Sequence, residues 1–258
     1  MHFTHVQEIY FSPAGTTETI VKEIAKAFDG EHVDVNLLQN PVDGVLQIGE
    51  NDLTVIGMPV FAGRIPSVCV DMLSRIKSNG SPAIVCVAYG NRAYDDALLE
   101  LQELAEKSGF AVIGDGAFVA QHAIFPDVAC GRPDAGDRKL IEQFAEACKK
   151  KLGADHADSS RQVTPKGKKP YTPYKRLPMA PSTNADCTRC GVCVAVCPAG
   201  AIDTKTPEQT DKRKCIACVA CIAACPAKAR RFSGALYWIG GKIFGLMCSK
   251  RKEPETFL

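Results

Sequence analysis

Eight cysteines constrain the last third of this 258-residue chain more than any other feature. Cys187-x-x-Cys190-x-x-Cys193-x-x-x-Cys197-Pro198 recurs as Cys215-x-x-Cys218-x-x-Cys221-x-x-x-Cys225-Pro226, an internal repeat offset by 28 residues. Three thiols at successive third positions wrap one tight loop, and the proline after the fourth turns the chain away. The opening residues show no basic n-region, apolar h-region or cleavage site. The thirteen cysteines therefore do not read as a disulfide framework but as thiols of a reducing, cytoplasmic compartment.

Thiols so placed are metal ligands, and two metal chemistries compete. Cys190 and Cys215 could frame paired zinc knuckles. That account leaves two further cysteines per unit, each followed by proline, without a role. Iron–sulfur clusters use them all. Val192, Val194, Val196, Ile216, Val219 and Ile222 supply a dry shell, while Gly191 and several alanines let backbone amides approach the sulfurs. Over residues 182–232 the segment resembles the bacterial 2[4Fe–4S] ferredoxins. The resemblance implies two [4Fe–4S] clusters with crossed ligation: Cys187, Cys190, Cys193 and Cys225 hold one, and Cys215, Cys218, Cys221 and Cys197 hold the other. The continuation Ala227-Lys228-Ala229-Arg230-Arg231 is more basic than usual and brings positive charge beside a cluster.

Residues 1–152 have a different rhythm. Apolar runs at 6–11, 53–58 and 83–89, the alternating stretch 33–38 and residues 110–120 read as strands; amphipathic stretches at 16–28, 66–77, 93–107 and 136–152 read as helices. Strands and helices in alternation predict a doubly wound parallel sheet of five strands, covered on both faces. In such sheets ligands bind beyond the carboxyl ends of the strands. Three strand exits converge there. The first, Ser12-Pro13-Ala14-Gly15-Thr16-Thr17, offers hydroxyls and free amides at the positive end of a helix and suits a phosphate. It lacks the lysine of a P-loop and the glycine spacing of a dinucleotide site. The second exit carries Pro59, Val60, Phe61, Ala62 and Gly63; the third carries Tyr89, Gly90, Asn91, Tyr94 and Asp95. A phosphate loop beside two aromatic, amide-rich loops suits FMN.

With those loops in place, residues 1–152 resemble flavodoxins. The resemblance implies strand order 2-1-3-4-5, with Ser12, Ala14, Gly15, Thr16 and Thr17 in the phosphate loop and the Phe61 and Tyr94 loops flanking the flavin ring. Ala14 stands where a threonine is usual, so one hydroxyl donor is missing. The whole chain resembles the flavodoxin–ferredoxin fusions of anaerobic microbes, sometimes labelled EFR1-type ferredoxins. That implies an α/β flavodoxin-like domain over 1–152, a linker over 153–181, a small α+β ferredoxin-like domain over 182–232, and a C-terminal amphipathic helix and tail over 233–258.

Five prolines (Pro165, Pro170, Pro173, Pro178, Pro181) sit among Lys166, Lys168, Lys169, Lys175 and Arg176. This composition reads as an extended, semi-rigid linker; the alternative is a docking strip for an acidic partner. Residues 1–150 hold 12 basic and 21 acidic residues, and the remainder 19 and 8. Such asymmetry often marks a nucleic-acid or membrane partner, but two clusters, each about −2 when oxidised, account for part of the basic excess. The apolar run at 235–247 is interrupted by Lys242 and too short to span a bilayer. Trp238, Ile239, Ile243, Phe244 and Met247 form a stripe expected to pack on one of the domains. Cys69, Cys86, Cys130, Cys148 and Cys248 read as small hydrophobes, and His122 follows the fifth strand near the flavin edge.

The sequence thus points to an electron-transfer protein with redox proteins as partners, no nucleic acid, no transmembrane segment and no assigned catalytic residue. Its alternative is an FMN-dependent reductase of a small acceptor, fed by its own clusters. A flavin edge open to a pocket favours the reductase, and an edge covered by aromatic side chains favours the carrier.

Overall fold

The computed structural model describes residues 2–153 and 164–258; the first part of the expected linker, 154–163, lies outside the described residues. The first domain contains β1 (His2–Tyr10), α1 (Thr16–Ala25), β2 (Asp29–Asn36), β3 (Leu46–Gln47), β4 (Leu53–Pro59), α2 (Ser67–Ser74), β5 (Ile76–Lys77), β6 (Pro82–Tyr89), α3 (Ala97–Lys107), β7 (Ala111–Val119) and α4 (Ala135–Gly153). Strands β2-β1-β4-β6-β7 lie parallel in that order. This is the flavodoxin-like order 2-1-3-4-5 once the two-residue strands are set aside. β4 and β6 are buried almost throughout because helices cover both faces. Val6, Tyr10, Ile84 and Phe118 pack with Ile20, Ile24, Ile141 and Phe144 of α1 and α4. Ile9, Phe11, Val85 and Val119 pack with Leu73, Leu98 and Leu101 of α2 and α3.

Two helices are shorter than their periodicity predicts. α2 stops at Ser74 because Ile76 and Lys77 leave it to pair with Leu46 and Gln47. α3 starts at Ala97 because Asp96 turns its carboxylate out to the 168–172 segment.

The cysteine-rich domain is small: β8 (Ser182–Thr183), α5 (Val192–Ala195), α6 (Ala220–Ala223) and β9 (Arg230–Arg231). β8 and β9 pair antiparallel and close its ends together. The repeat in sequence is a repeat in structure, since each run enters one helical turn through a left-handed residue, Gly191 at φ 78° and Val219 at φ 69°.

The tail departs from expectation. After α7 (Ala235–Met247) the chain returns to the first domain, where β10 (Glu255–Phe257) pairs antiparallel with β7 as a sixth strand. Residues 233–258 are therefore no separate appendage. Asn91 Nδ2 donates to the carbonyls of Cys248 (2.7 Å) and Lys250 (3.0 Å), and its Oδ1 accepts from Lys252 N (3.1 Å). The Tyr94 hydroxyl donates to Glu255 at 2.8 Å. Arg132, itself buried and paired with Asp137, donates to the Lys252 carbonyl at 2.8 Å. Arg251 bonds Asp134 at 2.7 Å and holds its carboxyl far below the usual range.

Asp115, at the centre of β7, is fully buried, and neither carboxylate oxygen has a hydrogen-bond partner. Burial, with a smaller contribution from Glu106, raises its pKa to about 8. A raised carboxylate costs no stability below about pH 4, where it is protonated folded and unfolded; the cost grows as pH climbs to about 8. Asp115→Asn should therefore raise the thermal midpoint by about 5 °C at pH 8 and by less at pH 5, read by circular dichroism. An equal gain at both pH values would show that ionisation is not the cause.

Candidate functional site

Each cysteine quartet surrounds its own void. Cys187, Cys190, Cys193 and Cys225 line one of about 20 Å³, and Cys197, Cys215, Cys218 and Cys221 line a second of about 20 Å³. The fourth member of each set thus comes from the other run. Among the described residues no three His, Cys, Asp or Glu side chains converge on one point as a single metal ion requires. Backbone amides face the sulfurs: Ala201 N donates to Cys197 Sγ at 3.3 Å, Ala217 N to Cys215 Sγ at 3.4 Å and Ala229 N to Cys225 Sγ at 3.3 Å. Burial pushes the Cys218 thiol up to about 12 and Cys221 to about 11, so charge on these sulfurs needs a bound cation. The second quartet is the deeper: Cys218 and Cys221 are buried, whereas Cys190 is exposed.

A larger cavity, about 290 Å³, opens at the strand exits of the first domain. Ala14, Thr16 and Thr17 of the first loop line it, as do Pro59, Val60, Phe61, Ala62 and Gly63 of the second and Tyr89 and Gly90 of the third. Five predicted residues do not. Ser12 lies beneath the loop, its Oγ accepting from Glu18 N at 3.0 Å. Gly15 shapes the turn from a left-handed φ of 83°, and the first-turn amides of Thr16 and Thr17 are left without intrahelical partners, as helix starts require. Asn91 and Tyr94 are taken by the tail, and Asp95 pairs with Arg92. The polar side-chain atoms of these three are engaged by the tail and by Arg92 rather than by the cavity.

The far wall of the cavity is the cysteine-rich domain. Cys215, Ile216, Ala217 and Cys218 form it, joined by residues 174–177 and by Phe244 of α7. His122 also lines the cavity and is more central than its position in sequence suggests. Its Nδ1 accepts from the amides of Ile124 (3.2 Å) and Phe125 (3.0 Å), which assigns the ring proton to Nε2. Burial lowers its pKa to about 4, so the ring is neutral at physiological pH. Aromatic contacts continue from it across the domain boundary: His122–Phe244 at 4.7 Å, Phe125–Tyr237 at 5.4 Å and Tyr237–Phe232 at 5.8 Å between ring centres. Tyr237 also donates to the Ile124 carbonyl at 3.0 Å. The seal is made by Tyr237 and Phe244, while Trp238, Ile239, Ile243 and Met247 of the expected stripe are exposed.

Lysine-rich residues 164–176 do not hang free. The strip lies along α3, whose carboxylates are its acidic partner. Thr172 donates through both N and Oγ1 to Asp96 at 2.8 Å, and Lys168 N donates to the same carboxylate at 3.1 Å. Burial opposes ionisation of Asp96, but these donors outweigh it and lower its pKa. Lys169 pairs with Glu103, which also accepts from Tyr171 at 2.5 Å. Arg64 forks onto Glu100 at 2.6 and 2.7 Å, reaches the Thr172 carbonyl at 2.8 Å and lies over the Tyr171 ring.

Residues 154–234 match the family model of a 4Fe-4S dicluster domain. The chain thus joins a sheet of flavodoxin-like order to a segment similar to 4Fe-4S dicluster domains. Solved structures similar to the flavodoxin-like part include an archaeal flavodoxin (14% identity, 58% of this chain and 99% of that one, TM-score 0.41). Flavodoxin 1 of Bacillus cereus is 18% identical over 57% of this chain and 97% of its own, with a TM-score of 0.42. A Fusobacterium nucleatum flavodoxin variant bound to flavin mononucleotide is 17% identical over 58% and 97%, with a TM-score of 0.42. Comparison with curated proteins gives no match. Among the described residues no helix is long and apolar enough to cross a membrane.

Proposed function

We propose that this protein relays electrons between partner proteins through two [4Fe–4S] clusters and an FMN, with the deeper cluster beside the flavin. The observation that carries this reading is the cavity wall: Cys215 and Cys218, two residues of the deeper quartet, line the same space as the phosphate loop. When bound, the clusters supply single electrons and FMN accepts one or two, so the pair converts between the two kinds of traffic. The residues give the relay an order. Exposed Cys190 marks where a partner approaches, the quartet of Cys197, Cys215, Cys218 and Cys221 lies inward, and the strand-exit cavity is the terminus.

The chain's own groups suit each station. Thr16 and Thr17 offer hydroxyls and amides to a phosphate at the start of α1. Phe61 and Tyr89 supply apolar and aromatic walls, and His122 presents a neutral ring whose Nε2 proton is free to donate. Tyr174, Leu177 and Phe244 add aromatic and apolar cover to the cavity, which favours the carrier over the reductase.

Anaerobic reconstitution should yield about eight iron, eight acid-labile sulfide and one FMN per chain. After a one-electron donor reduces the clusters, the flavin should be reduced at a rate independent of protein concentration. Stoichiometric zinc without sulfide, or FAD released on denaturation, would refute the cofactor assignment; a rate proportional to concentration would refute the internal relay.

A Cβ at Gly90 would lie 2.3 Å from His122 Cδ2 and 2.8 Å from its Cβ. Gly90→Ala should displace the imidazole into the cavity and weaken FMN binding about tenfold, or 1.4 kcal/mol, by fluorescence titration. Unchanged affinity would place the flavin ring away from His122.

A further inference from the structure

Arg230 is 2% exposed and lines the void of the outer cysteine quartet. Nη1 reaches Cys193 Sγ of the outer quartet at 3.4 Å and donates to the Pro207 carbonyl at 2.5 Å; Nη2 bonds Thr210 Oγ1. Thr210, the partner of Nη2, lines the void of the inner quartet together with Cys197, Cys215, Cys218 and Cys221. Nε is buried without a partner, and among the described residues no carboxylate pairs with this cation, whereas nearby Arg189 and Arg213 both have one. A buried, unpaired guanidinium is costly unless an anion faces it. The anions available are the thiolate-ligated clusters.

We propose that Arg230 is a cation shared by both clusters, raising the two reduction potentials together because each cluster gains negative charge on reduction. This rests on the cluster reading above, which iron and sulfide analysis of the unaltered protein tests separately. The effect follows from Coulomb's law in a poorly solvated interior, where one charge acts on two centres. Residues 227–231 thus do more than expose positive charge: Arg231 faces solvent while Arg230 turns inward.

The test is a redox titration followed by electron paramagnetic resonance on holoprotein variants, each checked for about eight iron per chain. Arg230→Gln should lower both potentials so that the reduced-to-oxidised ratio at a fixed potential falls at least tenfold, equivalent to about 59 mV for one electron. Arg230→Lys should restore most of the shift, since it keeps the charge. Arg231→Gln, at an exposed position, should leave both potentials in place. Thr210→Val keeps every ligand but frees Nη2, and should move both potentials in the same direction by a smaller amount. Unchanged potentials in Arg230→Gln, or a shift in only one cluster, would overturn the proposal. If Arg230→Gln fails to assemble clusters, the Lys and Val variants decide: Lys near the unaltered potentials with Val lowered in both supports the shared cation. Val indistinguishable from the unaltered protein would make Arg230 an assembly element only.

Discussion

Cys225→Ala is expected to damage the outer cluster and spare the inner one, although Cys225 belongs to the second run. The reason is spatial: Cys225 lines the void of Cys187, Cys190 and Cys193, and Cys197 lines that of Cys215, Cys218 and Cys221. Loss of the fourth thiol should remove at least the fourth iron of the affected cluster. Cys197→Ala is the reciprocal case with the larger consequence, because its cluster adjoins the flavin cavity. Internal flavin reduction should slow by more than about a hundredfold in Cys197→Ala. In Cys225→Ala, transfer from the inner cluster should persist. Iron and sulfide analysis, paramagnetic resonance and stopped-flow absorbance separate the two; damage to the inner cluster in Cys225→Ala would show that ligation does not cross.

Ending the chain after Phe232 should have the second large effect. It removes α7, the Phe244 wall of the cavity, the aromatic contacts of Tyr237, and β10 with its anchors on Asn91, Tyr94 and Arg132. The dicluster domain is then held mainly by the strip along α3. FMN affinity should fall at least a hundredfold, about 2.7 kcal/mol, and flavin reduction should become dependent on protein concentration. Phe244→Ala, which leaves the strand in place, should cost about tenfold in affinity. Trp238→Ala is the control: the ring is 66% exposed and its loss should change neither property. Full affinity in the truncated chain would mean that the tail does not shape the cavity.

The parallel order was legible because the central strands are largely apolar runs bounded by turns, and 53–58 (apart from Thr54) and 83–89 are apolar, as strands buried on both faces must be. The quartets were legible because the spacing repeats. Glu255-Thr256-Phe257 was not: three residues beside a basic stretch carry no periodicity, and only the free edge of β7 makes them a strand. The same tail engages Asn91 through Cys248, Lys250 and Lys252, and Tyr94 through Glu255. Both are the polar and aromatic types a flavin loop would use, and a sequence does not reveal that its own tail has claimed them. That two amides fix His122 Nδ1 is likewise a three-dimensional fact that no sequence pattern carries. The 164–176 strip was read as a linker because its acidic partner, α3, lies about 70 residues earlier in the sequence.

The return of the chain to β7 also sets an order of events during synthesis. Residues 255–257 leave the ribosome only after both cysteine runs, so until then the β7 edge is open to pairing with other chains. The strand-exit cavity gains its last wall, Phe244, equally late. A nascent or clipped chain lacking this segment would thus combine an unprotected edge with an incomplete cavity, a form readily recognised by proteases and chaperones. Closing the sheet with a late segment makes completion of the cavity coincide with covering of the β7 edge.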